Sequence, residues 1–475
     1  MKQIRSQTKI IATLGPATSS KTIISDLIKA GVDVFRINFS HSSKKEYLRL
    51  ASLIKELNQE LCTNVAILAD LQGPKLRVGE IENNLILLNE GDVITFVNKN
   101  GLGQKDHIYM SYQEFPKDVN AGEVILIDDG KIKLEVIETN KKDRVKAKVV
   151  YGGPLSSYKG VNLPGTQVSL PCLTEEDISN TSFALEHGVD WIAMSFVRKA
   201  SDVLVLKELI GKSNNDAGVI AKIEKPEALL EIDQIIDATD GIMVARGDLG
   251  VEVPFDQVPL YQKQIVEKCI RQSKPVIIAT QMMESMITSF RPTRAEANDV
   301  ANAVLDGADT LMLSGETSIG KYPVETIINM QQIISYTEFQ GKPFNKQHEP
   351  AKENSTFLAD SICFNATKLA KEVEAKAIIV FTHSGYTAIR ISSHRPKARI
   401  FAFTNNKNIV QKISLVWGVI PFFLDTYNYL NEAIPEAVKI LKEKNLLSDG
   451  DCVVFVGTTP LKLQGSTNMM KVGYV

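Results

Sequence analysis

Two segments set a cation and a carboxylate side by side at the end of an apolar run. One is Val219-Ile220-Ala221-Lys222-Ile223-Glu224. The other is Ile242-Met243-Val244-Ala245-Arg246-Gly247-Asp248. Residues two apart in a strand share a face, so Lys222 and Glu224 project together, with Ala221 and Ile223 behind them. Gly247 lets a ligand approach the backbone between Arg246 and Asp248. Glu224 and Asp248, from neighbouring strand ends, suit Mg²⁺, or Mn²⁺, which takes oxygen ligands and few protein groups when phosphate is present. Salt-bridged strand ends would give either segment alone the same composition.

Phe35-Arg36-Ile37-Asn38-Phe39-Ser40-His41 alternates, so that Arg36, Asn38 and Ser40 share a face. The Arg36 guanidinium can fork onto a phosphate or carboxylate. A solvated strand face would alternate in the same way, but not in a strand buried on both sides. Asp70-Leu71-Gln72-Gly73-Pro74-Lys75-Leu76-Arg77 makes a hinge-like turn that carries Lys75 and Arg77, or else a basic loop with Asp70 as a turn cap. Thr280 and Ser314 follow two further apolar runs. Their hydroxyls can relay protons through ordered water or cap the next helices. Thr293 and Glu296 have capping-box spacing, so Arg291–Asp299 reads as structural or subunit-contacting. Thr382, Ser384, Gly385 and Thr387 open a helix after a strand, where hydroxyls and free N–H groups bind phosphate; an ordinary N-cap uses the same residues. The late loop Gly465-Ser466-Thr467-Asn468 is placed to complete such a pocket.

These groups need elements to hold them. Apolar runs recur at Lys9–Leu14, Val34–Phe39, Val65–Leu71, Trp191–Val197, Gly218–Glu224, Ile242–Ala245, Pro275–Thr280 and Thr310–Leu313, most followed by a helical stretch. This predicts an α/β chain built on a (β/α)₈ TIM barrel, with its chemistry at the C-terminal strand ends. The third unit is interrupted before its helix near Thr174–Glu186. Alternating segments there, Leu85–Val97 around Glu90-Gly91-Asp92 and Val124–Val136 around Asp128-Asp129-Gly130, predict a small β-barrel lid growing from the active face. The polar stretch Gln340–Asn354, with Gly341, Pro343 and Pro350, reads as a linker. Helix and strand then alternate again as an open α/β domain. The expected division is 1–73 and 170–339 for the barrel, 74–169 for the lid and 340–475 for the C-terminal effector-binding domain.

The 475 residues suffice for several cores, and a net charge of −2 provides no field for nucleic acid or acidic membrane. The N-terminal stretch lacks the apolar core of a signal peptide, and no run reaches membrane-span length. The cysteines, Cys62, Cys172, Cys269, Cys363 and Cys452, are scattered without CxxC spacing, which fits reduced thiols in a cytoplasmic protein and no zinc site.

The chain resembles the pyruvate kinase family over nearly its whole length. The segments that carry the resemblance are TKIIATLGPAT, VFRINFSH, DLQGPKLRVG, VIAKIEKPEA, MVARGDLGVE, IIATQMMESM, RPTRAEANDVANAV and LMLSGETSIGKYP. It implies barrel, lid and regulatory domain, with no phosphohistidine domain after them, and phosphoryl transfer from phosphoenolpyruvate to ADP in the last step of glycolysis. By resemblance, Glu224 and Asp248 hold Mg²⁺, Lys222 stabilises the transferring phosphoryl group, Arg36 binds the phosphate, and Gly247 and Thr280 line the substrate. His41, Arg77 and Lys199 serve the nucleotide. A water relay near Thr280 and Ser314 protonates enolpyruvate.

The resemblance also implies a departure. Many members hold K⁺ through residues matching Asn38, Ser40, Asp70 and a threonine at position 71, and carry glutamate at position 75. Here Leu71 and Lys75 stand at those places, as in a K⁺-independent branch, and the Lys75 ammonium can supply the monovalent charge covalently. A phosphorylated effector at Thr382, Ser384, Gly385 and Thr387, a sugar monophosphate or AMP ahead of fructose 1,6-bisphosphate, and a homotetramer are further implications. The rivals are a Mg²⁺-dependent pyruvate-enolate lyase or aldolase, which needs no lid, and a non-catalytic metabolite sensor, which would have lost part of the site.

Overall fold

The computed structural model describes residues 6–424, 430–459 and 467–475. Eight parallel strands close into a barrel. They are β1 (Lys9–Thr13), β2 (Val34–Asn38), β3 (Ala66–Asp70), β4 (Trp191–Met194), β5 (Gly218–Ile223), β6 (Gly241–Ala245), β7 (Val276–Ala279) and β8 (Thr310–Leu313). Each pairs with its sequence neighbour, and β8 returns to β1 through Lys9↔Thr310 and Ile10↔Leu311. Both strand faces are apolar because both are covered. Ile10 and Ala12 pack outward under the helices, while Ile11, Val34, Leu68, Ile220 and Met243 fill the interior. The helices face this sheet with a stripe at helical spacing, as Tyr47, Leu50, Ala51, Ile54 and Leu57 do on Lys44–Leu61, which Ser43 caps by accepting from the Glu46 N–H.

A repeated device sets the lower end of the barrel. Asp33, Asp190, Asp240 and Asp309 stand immediately before β2, β4, β6 and β8. Each carboxylate accepts a backbone N–H from the preceding strand of the barrel: Ile10 at 3.0 Å, Ile67 at 2.7 Å, Val219 at 2.9 Å and Val276 at 3.0 Å. Strand starts expose N–H groups, and these carboxylates satisfy them in pairs of strands.

The lid forms a six-stranded sheet with a two-stranded ladder around its own core, in which Phe96, Ile108, Phe115, Leu134 and Val145 are buried. Val124–Ile127 and Ile132–Thr139 pair as a hairpin. The Glu90-Gly91-Asp92 turn does not make one. Ile86–Leu88 pairs with Gly153–Leu155, and Val93–Val97 with Arg144–Tyr151. The helix predicted at Thr174 runs Glu175–His187 with a full Thr174/Asp177 capping box.

Helix Pro323–Gly341 continues past the expected linker start at Gln340 and stops at Lys342, which takes a left-handed φ of 47°. The C-terminal sheet orders Val419–Phe423, Arg399–Thr404, Ala377–Phe381, Cys452–Gly457 and Met469–Tyr474. The last strand is antiparallel. It lies on an edge and was not anticipated from the sequence. This domain seals the bottom of the barrel: Leu415 enters the interior cluster, and Thr310 Oγ1 donates to its carbonyl at 2.8 Å. Arg395 joins Asp309 at 2.8 Å with both side chains buried. Among the described residues, no helix is long and apolar enough to cross a membrane.

Candidate active site

Four charges converge inside the upper mouth of the barrel. Lys222 Nζ, from β5, donates to Ser195 Oγ at 2.7 Å and lies 2.9 Å from Glu224 Oε1 and 3.3 Å from Asp70 Oδ1. Arg36, from β2, reaches Asp70 Oδ2 with both Nε and Nη2 at 2.6 Å. Its Nη1 donates to Thr13 Oγ1 at 3.0 Å. Arg36, Asp70, Lys222 and Glu224 are 9, 1, 9 and 2 % exposed. A lone charge so deep costs several kcal/mol, so the burial is tolerable only because two cations meet two carboxylates.

Electrostatics follow the same balance. Burial works against the Lys222 ammonium, but Asp70, Glu224 and Asp248 together hold its pKa above the usual lysine value. Burial also opposes the Asp70 carboxylate, and Lys222 and Arg36 outweigh it, keeping that pKa low. Glu224 is pushed upward, first by burial and further by Asp248, against the pull of Lys222.

The backbone around these groups is unusual. Phe196 takes a left-handed φ of 56° and donates its N–H to Glu224 Oε2 at 2.8 Å. Gly73 lies close beneath it at φ +68°, where a Cβ would stand 2.7 Å from Phe196 Cδ2. Thr280 and Gln281 both have positive φ, 67° and 53°. For a β-branched residue that conformation is strained and persists only when its surroundings enforce it. Here Thr280 Oγ1 accepts the Gly247 N–H at 2.7 Å, while Arg246 Nη2 holds the Thr280 carbonyl and Nη1 holds Asp299, each at 2.8 Å. Arg246 is therefore a brace, and Arg291–Asp299 supports the mouth through Asp299. Glu316 ties the loops after β7 and β8, accepting from the Met283 and Ser314 N–H groups at 3.1 and 2.7 Å.

Asp248 differs from its neighbours. Among the described residues its carboxylate has no hydrogen bond or ion pair, and it lines the cleft between barrel and lid beside Lys75, Arg198 and Lys225. A free carboxylate one strand from Glu224 is an oxygen-only donor set that fits a small hard cation. Glu252 spans that cleft: its Oε1 accepts from Lys225 Nζ at 2.6 Å and from lid residue Asn162 Nδ2 at 2.8 Å.

The remaining predicted residues fall into separate places. Asn38 pairs in register with Asp70 and accepts the Ser40 N–H at 2.9 Å. Lys75 is exposed, and no bond joins it to Asn38, Ser40 or Asp70. His41 is exposed at the mouth. Desolvation lowers its pKa first, then the cations Lys75, Arg36 and Arg77, so these charges form one positive rim. Arg77 Nη1 donates to the Tyr158 carbonyl at 2.9 Å within the lid, and Lys199 is exposed at the start of helix Ala200–Lys212.

In the C-terminal domain, Thr382 Oγ1 and Ser384 Oγ accept the Gly385 and Tyr386 N–H groups at 3.0 and 3.5 Å. Buried Thr387 meets Thr467 at 2.7 Å. Gly465 and Ser466 lie outside the described residues. The sequence reading missed Thr13, Ser195, Phe196 and Glu252. Thr13 and Ser195 carried a usable signal, being polar at or just beyond the ends of β1 and β4, where the other site residues sit.

Models of two families match the chain: "Pyruvate kinase, barrel domain" over residues 5–327 and "Pyruvate kinase, alpha/beta domain" over 360–473. A pyruvate kinase of Geobacillus stearothermophilus is 42% identical over 99% of this chain and 80% of its own length. One of Corynebacterium glutamicum is 40% identical over 98% and 97%. The crystal structure of a pyruvate kinase from Cryptosporidium parvum superposes with a TM-score of 0.92 at 34% identity, covering 99% of this chain and 96% of that one.

Proposed function

The chain belongs to the pyruvate kinase family and is a phosphotransferase, and on that premise we propose how its own residues carry phosphoryl from phosphoenolpyruvate to ADP. The observation that carries the reading is the buried quartet Arg36, Asp70, Lys222 and Glu224, with unpaired Asp248 beside it. Glu224 and Asp248 are the ligands for Mg²⁺ or Mn²⁺, which when bound neutralises oxyanion charge on the substrates. Lys222, kept protonated by its carboxylate neighbours, faces the phosphoryl group as charge spreads over its oxygens. Arg36 already has its fork aimed by Asp70 and Thr13, so it binds phosphate without reorganising. Gly247 leaves room for the substrate beside Thr280. The enolpyruvate carbon takes its proton through water near Thr280 and Ser314. His41, Arg77 and Lys199 flank the nucleotide, and the lid over the mouth excludes water.

Lys75 brings a fixed cation to the mouth and replaces the need for K⁺. The loop Thr382, Ser384, Gly385 and Thr387 takes the phosphate of an activating metabolite. The barrel spans 1–73 and 170–339, the lid 74–169 and the effector domain 340–475. By family likeness the protein is a cytoplasmic homotetramer.

The test is pyruvate formation coupled to lactate dehydrogenase, with Mg²⁺, in buffers with and without K⁺. Equal rates support both the reaction and the role of Lys75. A rate seen only with K⁺ keeps the reaction and removes that role. No rate from folded protein, with sugar monophosphates and AMP added, overturns the reading. Ser384→Ala abolishes activation at subsaturating phosphoenolpyruvate while leaving the unactivated rate intact; an unchanged effector titration removes the loop assignment.

A further inference from the structure

Three of the four aspartates at the bottom of the barrel have a cation in direct contact. Asp33 lies 3.6 Å from Lys9, Asp240 2.9 Å from Lys207 and Asp309 2.8 Å from Arg395. Asp190 has none. It opens instead into a cavity of about 240 Å³ between the barrel and the C-terminal helix Lys407–Lys412. Lys55, Lys407 and Lys412 line that cavity, and among the described residues none of the three ammoniums meets a carboxylate. Lys55 and Lys412 donate to the His187 and Asp216 carbonyls at 2.8 Å, and Lys407 lies 5.4 Å from the Phe423 ring. The Gln411 amide, also in the lining, has no hydrogen bond among the described residues. Ile54, Val65 and Val189 give one apolar wall.

The larger cleft nearby, of about 870 Å³, shows the contrast. Its cations are already engaged: Lys263 with Asp306, Arg271 with Glu267, Arg390 with Asp360, and Lys346 on the carbonyls that end helix Arg294–Asp306. Three of its four cations there are already neutralised by carboxylates, and only Lys346, like Lys55 and Lys412, rests on carbonyls alone.

We propose that the cavity between the barrel floor and helix Lys407–Lys412 binds a small phosphate monoester, separately from the loop at Thr382–Thr387. Three ammoniums, none paired with a carboxylate among the described residues, supply the attraction for a dianion. The Gln411 amide and the apolar wall supply contacts that bare phosphate cannot use. Burial pushes the Asp190 carboxyl up to about 7, so near neutral pH it is partly protonated and repels the anion less than a fully ionised carboxylate would. A ligand here joins the C-terminal domain to the starts of β4 and β5. Those strands lead to Ser195, Lys222 and Glu224.

The test is calorimetric titration of the full chain with ribose 5-phosphate, glucose 6-phosphate and inorganic phosphate. Parent, Lys407→Glu, Lys55→Gln/Lys407→Gln and Ser384→Ala are compared, with melting curves to confirm folding. Lys55 and Lys407 are exposed, so these changes leave the core alone. The expected result is a sub-millimolar sugar-phosphate site, additional to binding at the Thr382–Thr387 loop, that weakens about tenfold or more in both lysine variants, as loss of one or two charge-assisted contacts requires. Ser384→Ala retains it. Binding lost in Ser384→Ala but untouched in the lysine variants overturns the proposal. So does inorganic phosphate binding as tightly as the monoesters, or no binding by either sugar phosphate.

Discussion

The two ends of the barrel bury charge by different rules. At the bottom, Asp33, Asp190, Asp240 and Asp309 each take a backbone N–H from the strand before. Their carboxylates complete the sheet. At the mouth, Asp70 and Glu224 are committed mainly to Lys222 and Arg36, while Asp248 remains open. A carboxylate spent on backbone explains itself through folding. Charges packed on one another beside an unpaired Asp248 match a ligand-binding site, whereas the bottom aspartates that meet a cation are each also tied to a backbone N–H. The contrast makes a divided prediction: damage to the mouth should remove chemistry, and damage to the bottom should remove stability.

The largest effect is expected from Lys222→Met. It deletes the charge proposed to face the phosphoryl group and leaves Asp70 and Glu224 short of a buried cation. kcat should fall by at least about 10²-fold. The melting temperature should move as well, since an uncompensated buried charge costs about 3–5 kcal/mol. A folded Lys222→Met enzyme with near-parental kcat would break the contrast at once. Next is Lys75→Glu. The exposed side chain has no partner among the described residues, so folding should be unaffected while the K⁺-free rate drops roughly tenfold or more and returns on adding K⁺. A variant equally active in both buffers would leave Lys75 without a role.

Asp309→Asn tests the other end. It strips the buried Arg395 of its carboxylate but keeps an oxygen for the Val276 N–H. Stability should fall by about 3–5 kcal/mol, read as an earlier denaturation midpoint, with kcat of the folded enzyme preserved. A large loss of kcat at unchanged stability would mean that the bottom acts on the chemistry directly.

How much of this was legible in the sequence follows from the same division. A barrel strand is apolar on both faces, so Val276–Ala279 and Thr310–Leu313 announce themselves as runs, and the polar residues just beyond them mark the mouth. Lys222 and Glu224 sit two apart, which fixes their shared face before any fold is known. Pairing across long sequence separations is not locally encoded. The turn at Glu90-Gly91-Asp92 looks like a hairpin, yet its flanking strands join different partners. The left-handed Phe196 leaves no trace in residue type, because Glu224 and the space above Gly73 determine it from outside the segment. The aspartates of the bottom were readable in hindsight. Val-Asp, Thr-Asp or Ala-Asp precedes every even strand, but each looks like an ordinary turn until the barrel brings a strand start to it.

Asp190 gives the smallest effect and the sharpest test, because among the described residues it is the one member of its set that lacks an ion-pair partner. Lys55, Lys412 and Asp216 act on it from the cavity walls without touching it, and burial dominates, raising its carboxyl to about 7. An unfolded aspartate titrates near about 4. Between those values the folded chain holds a proton that the unfolded chain has released, so stability falls as pH rises through the window. Above pH 7 the fold carries an ionised carboxylate that it disfavours. Asp190→Asn keeps the oxygen that accepts the Ile67 N–H and does not titrate. The variant should therefore melt close to the parent at pH 5 and roughly 2–4 °C above it at pH 8. A gap that is constant with pH, or widest in acid, would show that burial does not raise the Asp190 carboxyl. The bottom of the barrel would then be uniform, and the lysine-lined cavity beside Asp190 would hold a full opposing charge.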